Sequence, residues 1–159
     1  METVEEFLAH AIQLEREAAD RFGQLADAMD SAGNREVGQL FRQLAHYSRL
    51  HLAEARDRAG FLDIPDLKPG EFSWPDAESP ETAAIWAADP MIGTDDALAT
   101  ALAAERAGLD YYAGVLARAT DPEIIMFAKA FVEEESGHVA ELNRWIAARA
   151  AGLKTPVDA

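Results

Sequence analysis

The chain has 159 residues, no cysteine and a formal net charge of −15, with 29 acidic residues against 14 basic ones. The lack of thiols excludes disulfides, thiolate zinc sites and iron–sulfur clusters. The acidic balance argues against nucleic acid or an anionic membrane as a partner, because both would repel such a surface. The length and the 49% share of hydrophobic residues predict a single domain, residues 1–159, with a substantial hydrophobic core.

The beginning of the chain and its hydropathy bear on location. Met1 to Glu6 lack the basic and then apolar layout of a signal peptide. No apolar run is long enough to cross a bilayer. We therefore expect a cytoplasmic protein.

Four long segments carry the apolar periodicity of helices. The first covers about residues 4–30, with Thr3 and Glu6 as a capping box, and Asn34 is the expected cap of the second, over residues 35–59. The third covers about residues 95–119. Asp121 followed by Pro122 predicts the start of the fourth, over residues 122–151.

The connections between these helices predict how they are arranged. Short loops within each pair predict two antiparallel helical hairpins. Residues 60–93 join the hairpins as a crossover rich in proline and aromatic residues, in which residues 79–86 are compatible with a short helix. The predicted fold class is therefore all-α, a ferritin-like antiparallel four-helix bundle of two hairpins joined by a long crossover.

Five polar residues interrupt the apolar stripes of these helices. Glu15 lies in the stripe of the first helix, and Glu105 lies at the matching position of the third. His51 interrupts the second stripe, and Glu135 and His138 interrupt the fourth. A carboxylate on a core face must be paired, protonated or bound to a cation. Several carboxylates at one depth favour a metal ion that neutralises them, and Glu-x-x-His can grip one ion from a single helix.

Each of these residues has a structural explanation when it is taken alone. A glutamate within a helix is usually solvated, and a core histidine is usually hydrogen-bonded. The alternative to a metal site is a bundle in which the acids pair with Arg16, Arg49 or Arg106. His10 and His46 lie off their stripes and are weaker candidates.

Four segments, in this order along the chain, resemble the rubrerythrin branch of the ferritin-like superfamily, without its cysteine-bearing rubredoxin domain. They are residues 11–18, 44–51, 101–107 and 133–138. The resemblance implies a non-haem di-metal site with Glu15 and Glu105 as terminal ligands, Glu135 as the bridge, and His51 and His138 as nitrogen ligands. It implies one or two iron ions, although manganese or zinc also suits such ligands.

Ser48 departs from the family pattern. The pattern has a bridging glutamate there, three residues before His51, and a serine hydroxyl is a poor ligand at neutral pH. We therefore expect weaker binding of the metal near His51. A further glutamate of the pattern is replaced by Gly108, and Tyr112, one turn beyond it, is placed to hydrogen-bond a ligand.

The resemblance also implies a function. It is reaction with peroxide or oxygen, as in a rubrerythrin-like peroxidase or other oxidoreductase, with electrons from an external donor because the chain has no redox cysteine. Metal sequestration of the ferroxidase type and a structural bundle with a degraded metal site are the alternatives. An exposed hairpin face favours a homodimer.

Overall fold

The computed structural model describes residues 3–74, residue 89 and residues 91–153. It contains four long helices, α1 (Val4–Ser31), α2 (Arg35–Ala59), α3 (Thr94–Arg118) and α4 (Pro122–Ala150), and one short 3₁₀ turn, Pro69–Glu71. No strand occurs among the described residues. The helices pack mainly as the pairs α1–α2 and α3–α4, so the predicted all-α four-helix bundle is confirmed.

The helix ends lie within one residue of the predicted positions. The Thr3 side chain accepts a hydrogen bond from the Glu6 N–H at 3.2 Å, and the Asp121 side chain accepts one from the Glu123 N–H at 2.8 Å. Both bonds satisfy amides that a helix leaves without partners in its first turn. The short helix expected at residues 79–86 lies outside the described residues.

The prediction that the Asn34 side chain caps α2 is wrong. Asn34 occupies the N-cap position of α2, but its backbone is not in the extended region and its side chain makes no cap bond. Its amide instead donates to the Ile92 carbonyl at 2.7 Å. The residue therefore ties the α1–α2 turn to the last part of the crossover.

Buried apolar side chains form two clusters, one toward each end of the bundle. The first contains Ala18 to Met29 of α1 and Val37 to Ala45 of α2 together with parts of α3 and α4. The second contains Val4 to Leu14 of α1 and the opposite ends of the other helices. None of the described helices is both long and apolar enough to cross a lipid bilayer.

His10 holds the crossover against α1. Its Nδ1 bonds the Glu6 carbonyl at 2.8 Å, and its Nε2 accepts from the Ser73 N–H at 2.9 Å. Because an amide N–H only donates, the ring proton is on Nδ1. The ring also meets Phe72 and Trp74 edge to face, each at a centroid distance of 5.0 Å. His10 is thus a buried structural residue, a role that its position off the stripe did not indicate.

Candidate metal centre

A layer of polar side chains separates the two apolar clusters. Along each of the four helices, the residues of one cluster lie on one side of this layer and the residues of the other cluster lie on the other side. The layer contains Glu15 from α1, Ser48 and His51 from α2, Glu105 from α3, and Glu135 and His138 from α4. All of these residues are buried except His138, whose side chain is 26% exposed. The structure therefore brings together all five residues that the sequence singled out, while their role as metal ligands stays a prediction.

Nitrogen and carboxylate atoms face one another across the layer. His51 Nδ1 lies 3.7 Å from Glu15 Oε2. His138 Nδ1 lies 3.7 Å from both Glu105 Oε2 and Glu135 Oε2. One ligand atom from each of His51, Glu135 and His138 also lies within 4.8 Å of the other two. One cation between these atoms would be within reach of nitrogen and carboxylate donors from several helices.

The imidazoles of His51 and His138 are stacked. Their centroids are 3.7 Å apart, and their planes differ by 14°. The two rings therefore lie face to face, each with Nδ1 toward carboxylates. This arrangement divides the layer into a half around His51 and Glu15 and a half around His138, Glu105 and Glu135.

Several buried atoms of the layer have no hydrogen-bond partner among the described residues. They include Glu15 Oε2, Glu105 Oε2 and His138 Nδ1. The structural alternative requires that the buried acids pair with arginines. Within the described part of the chain, neither Glu15 nor Glu105 forms such an ion pair. Buried carboxylate oxygens left in this way are costly unless a cation neutralises them. The donor set therefore fits a metal ion.

The pKa values of His51 and Glu105 are shifted by the other charged groups of the layer. Burial lowers the pKa of His51, but Glu15, Glu105 and Glu54 outweigh it and hold that pKa above its ordinary value. Burial raises the pKa of Glu105, but contacts with His138 and Glu135 and the charge of His51 leave it below the ordinary value. The layer thus favours negative carboxylates that attract positive charge.

Tyr112 supports the Glu15 side of the layer. Its hydroxyl donates to Glu15 Oε1 at 3.4 Å, so the expectation that Tyr112 hydrogen-bonds a candidate ligand is confirmed. Its ring is fully buried and stacked on Phe131 at 4.9 Å. One Glu15 oxygen is therefore held by the tyrosine, and the other faces His51.

Ser48 lies in the layer on α2, three residues before His51, and is 2% exposed. The matching position on α4, three residues before His138, is Glu135. The two halves of the layer thus differ by one carboxylate, as the sequence indicates.

Sequence reasoning missed two residues that flank the layer, Tyr47 and Trp145. The centroids of their rings lie 6.4 Å apart, and both residues line the same cavity as His51 and His138. Both fall among the aromatic residues of amphipathic helices, and no local spacing distinguishes a ring beside a polar layer from one in the core. Only the packing of α2 toward α4 shows their place.

The chain is similar to a protein whose crystal structure is known, an uncharacterized conserved protein from Magnetospirillum magnetotacticum MS-1. The two share 34% sequence identity over 97% of each chain, with a TM-score of 0.68. The chain belongs to the family of this conserved protein. No protein-family model matches the chain. No curated protein matches it either.

Proposed function

We propose that this chain is a non-haem di-metal protein of the rubrerythrin type, which binds iron in the polar layer and reacts with peroxide or oxygen using an external electron donor. The observation that carries the proposal is the convergence of three glutamates and two histidines from four helices on one buried layer. Membership in the family of the Magnetospirillum protein is compatible with this function.

The residues have distinct parts in this proposal. Glu15 and His51 would hold one ion, Glu105 and His138 would hold the other, and Glu135 would bridge them. Ferrous iron held by these residues would supply the electrons that reduce an oxygen–oxygen bond. Tyr112 fixes the orientation of Glu15, and the two apolar clusters shield the layer from water at both ends of the bundle.

Metal analysis of purified protein and of two glutamate variants tests the proposal. Glu135 and Glu133 are neighbours on α4, but Glu135 is buried in the layer and Glu133 is exposed. We expect Glu135→Gln to lower iron affinity by at least about 10-fold, taking the cost of disturbing a ligand's support as the lower guide. Glu133→Gln removes the same charge and should retain the iron.

Two outcomes would replace the proposal with one of the alternatives. Purified protein that binds no metal in a titration would indicate a structural bundle. Protein that binds iron but consumes no peroxide in its ferrous form would indicate sequestration. The homodimer and the external donor stay predictions, which light scattering and reduction assays with candidate donor proteins test.

A further inference from the structure

A cleft of about 290 Å³ opens beside the polar layer, between α2 and α4. Its lining includes Leu44 and Tyr47 of α2 and Leu142 and Trp145 of α4. His51, Glu105 and His138 also line it. Three of the five candidate ligands are therefore reached from this cleft.

The side walls of the cleft are mainly apolar, although Glu141 also lines it. Trp145 uses its indole N–H in a 2.9 Å hydrogen bond to Glu141 Oε1, so its ring presents hydrocarbon to the cleft. The facing ring of Tyr47 stands 6.4 Å from it. Two rings and two leucines form a wall that favours a hydrocarbon body over a polar one.

The size of the cleft bears on what it holds. A single water molecule needs about 10–15 Å³ of such space, and hydrogen peroxide is larger by only one oxygen atom. The cleft offers roughly twenty times the volume that a water needs. Its 290 Å³ is close to the lower limit of about 300 Å³ for sites that enclose small organic ligands. The cleft therefore has room beside the layer for an organic group larger than the peroxide group itself.

We propose that this cleft binds the apolar body of an organic hydroperoxide and directs its O–O group to the metals. This inference rests on the proposed function, because the O–O group can react there only when the layer holds metal ions. The O–O bond is broken with two protons from solvent and two electrons, one from each of two ferrous ions, which become ferric. The products are one alcohol and one water.

Gly137 offers a way to fill the cleft without disturbing the fold. It lies in α4 and lines the cleft. Apart from the adjacent residues and the nearby backbone of α4 itself, a Cβ added there meets no atom within 4 Å among the described residues. Leucine is a better helix former than glycine, so Gly137→Leu should fold. Gly23 of α1 is a matched control, since it is also helical and also has open space at its Cβ.

Binding to metal-free protein tests the cleft independently of any reaction. The probe is 2-phenyl-2-propanol, the alcohol formed from cumene hydroperoxide, observed by ligand NMR. We expect saturable binding that is at least about 10-fold weaker in Gly137→Leu, intermediate in Gly137→Ala and unchanged in Gly23→Leu. Equal binding by the Gly137→Leu and Gly23→Leu variants, or no binding by the natural chain, would overturn the inference.

A single-turnover experiment then links the cleft to the reaction. Ferrous-loaded protein is mixed without air with cumene hydroperoxide or hydrogen peroxide, and iron oxidation is followed by absorbance. The quantity compared is the rate with cumene hydroperoxide divided by the rate with hydrogen peroxide. We expect this ratio to fall at least about 10-fold in Gly137→Leu and to stay constant in Gly23→Leu. Oxidation by hydrogen peroxide alone would overturn the inference but leave the proposed function standing. Binding of the alcohol without oxidation by either peroxide would overturn the proposed function and leave the cleft as a binding site.

Discussion

Ser48 is the residue at which the two halves of the polar layer differ. The half around His138 has two glutamate oxygens within 3.7 Å of the histidine nitrogen, and the half around His51 has one. Three glutamates carry three negative charges against the four positive charges of two divalent ions. The ion near His51 therefore has fewer donors and less compensating charge.

Replacing Ser48 by glutamate should correct this inequality. We expect the natural chain to bind one ion tightly and the second weakly. Ser48→Glu should tighten the second by about 10–100-fold, the range associated with disturbing a ligand's surroundings. Calorimetric titration of metal-free protein measures both ions. Ser136→Glu adds the same charge at an exposed position of α4 and should have little effect. Two equally tight ions in the natural chain would show that another ligand replaces Ser48.

Tyr112 allows a test of orientation at the same scale. Tyr112→Phe keeps the ring that packs on Phe131 but removes the hydroxyl that holds Glu15. We expect affinity for the ion near His51 to fall by about 10-fold. The free energy of unfolding of the metal-free chain should change by about 1 kcal/mol or less. A metal titration and urea denaturation measure the two effects, and unchanged metal affinity would remove Tyr112 from the site.

The elements of the fold were predictable because their signals are local. An apolar stripe repeats every three or four residues, and the bonds of Thr3 and Asp121 join atoms within three residues of each other. Asn34 shows where local reasoning fails. Its side chain bonds Ile92, 58 residues away along the chain, and no spacing near Asn34 indicates that partner.

Gly38 marks a close approach of α2 to α1 that also has no local signal. A Cβ at Gly38 would overlap the Asp30 side chain and lie 3.3 Å from the Ala26 carbonyl oxygen. Asp30 is itself held by Arg42, at 2.5 Å. An alanine at Gly38 would therefore displace a paired carboxylate within the first hairpin.

Two alanine substitutions compare this approach with an open helical position. We expect Gly38→Ala to lower the free energy of unfolding by about 1 kcal/mol, because crowding costs about 1–3 kcal/mol and the gain in helix propensity offsets only part of it. Gly23→Ala should raise it by about 0.5–1 kcal/mol, since that position is open. Urea denaturation of the metal-free chain measures both changes. A stabilised Gly38→Ala would show that Asp30 moves aside at little cost.

At the scale of the whole molecule, the sequence could predict which residues the polar layer contains, but not how they are arranged. Glu15, Glu105, Glu135 and the two histidines could be singled out because each breaks an apolar stripe. The stacking of His51 on His138 and the cleft beside them depend on how α2 lies against α4, which no single helix specifies. The crossover was the least predictable part, because His10 and Ser73, which attach it to α1, are 63 residues apart.

His10 makes the attachment of the crossover sensitive to pH. Burial lowers the pKa of His10, and the hydrogen bond to the Glu6 carbonyl and the charge of Glu6 offset only part of that effect. The described neighbours from the crossover, residues 72–74, carry no charge. Only the neutral ring accepts the Ser73 N–H, because a protonated imidazole donates from both nitrogens.

The expected consequence is loss of the attachment in mild acid. The folded-state pKa of His10 lies below the unfolded value of about 6.5, so its contribution to stability is fully present above that pH. It is lost as pH falls through the folded-state pKa, because the unfolded chain binds the proton more readily. Hydrogen exchange of the Ser73 amide, corrected for the intrinsic effect of pH, should show protection that declines below about pH 6.5. His10→Gln keeps an acceptor that does not titrate, so protection of the Ser73 amide should stay constant over this range. His46→Gln, at an exposed site on α2, is the control, and its Ser73 protection should decline as in the natural chain. An equal decline in His10→Gln would show that some other group releases the crossover.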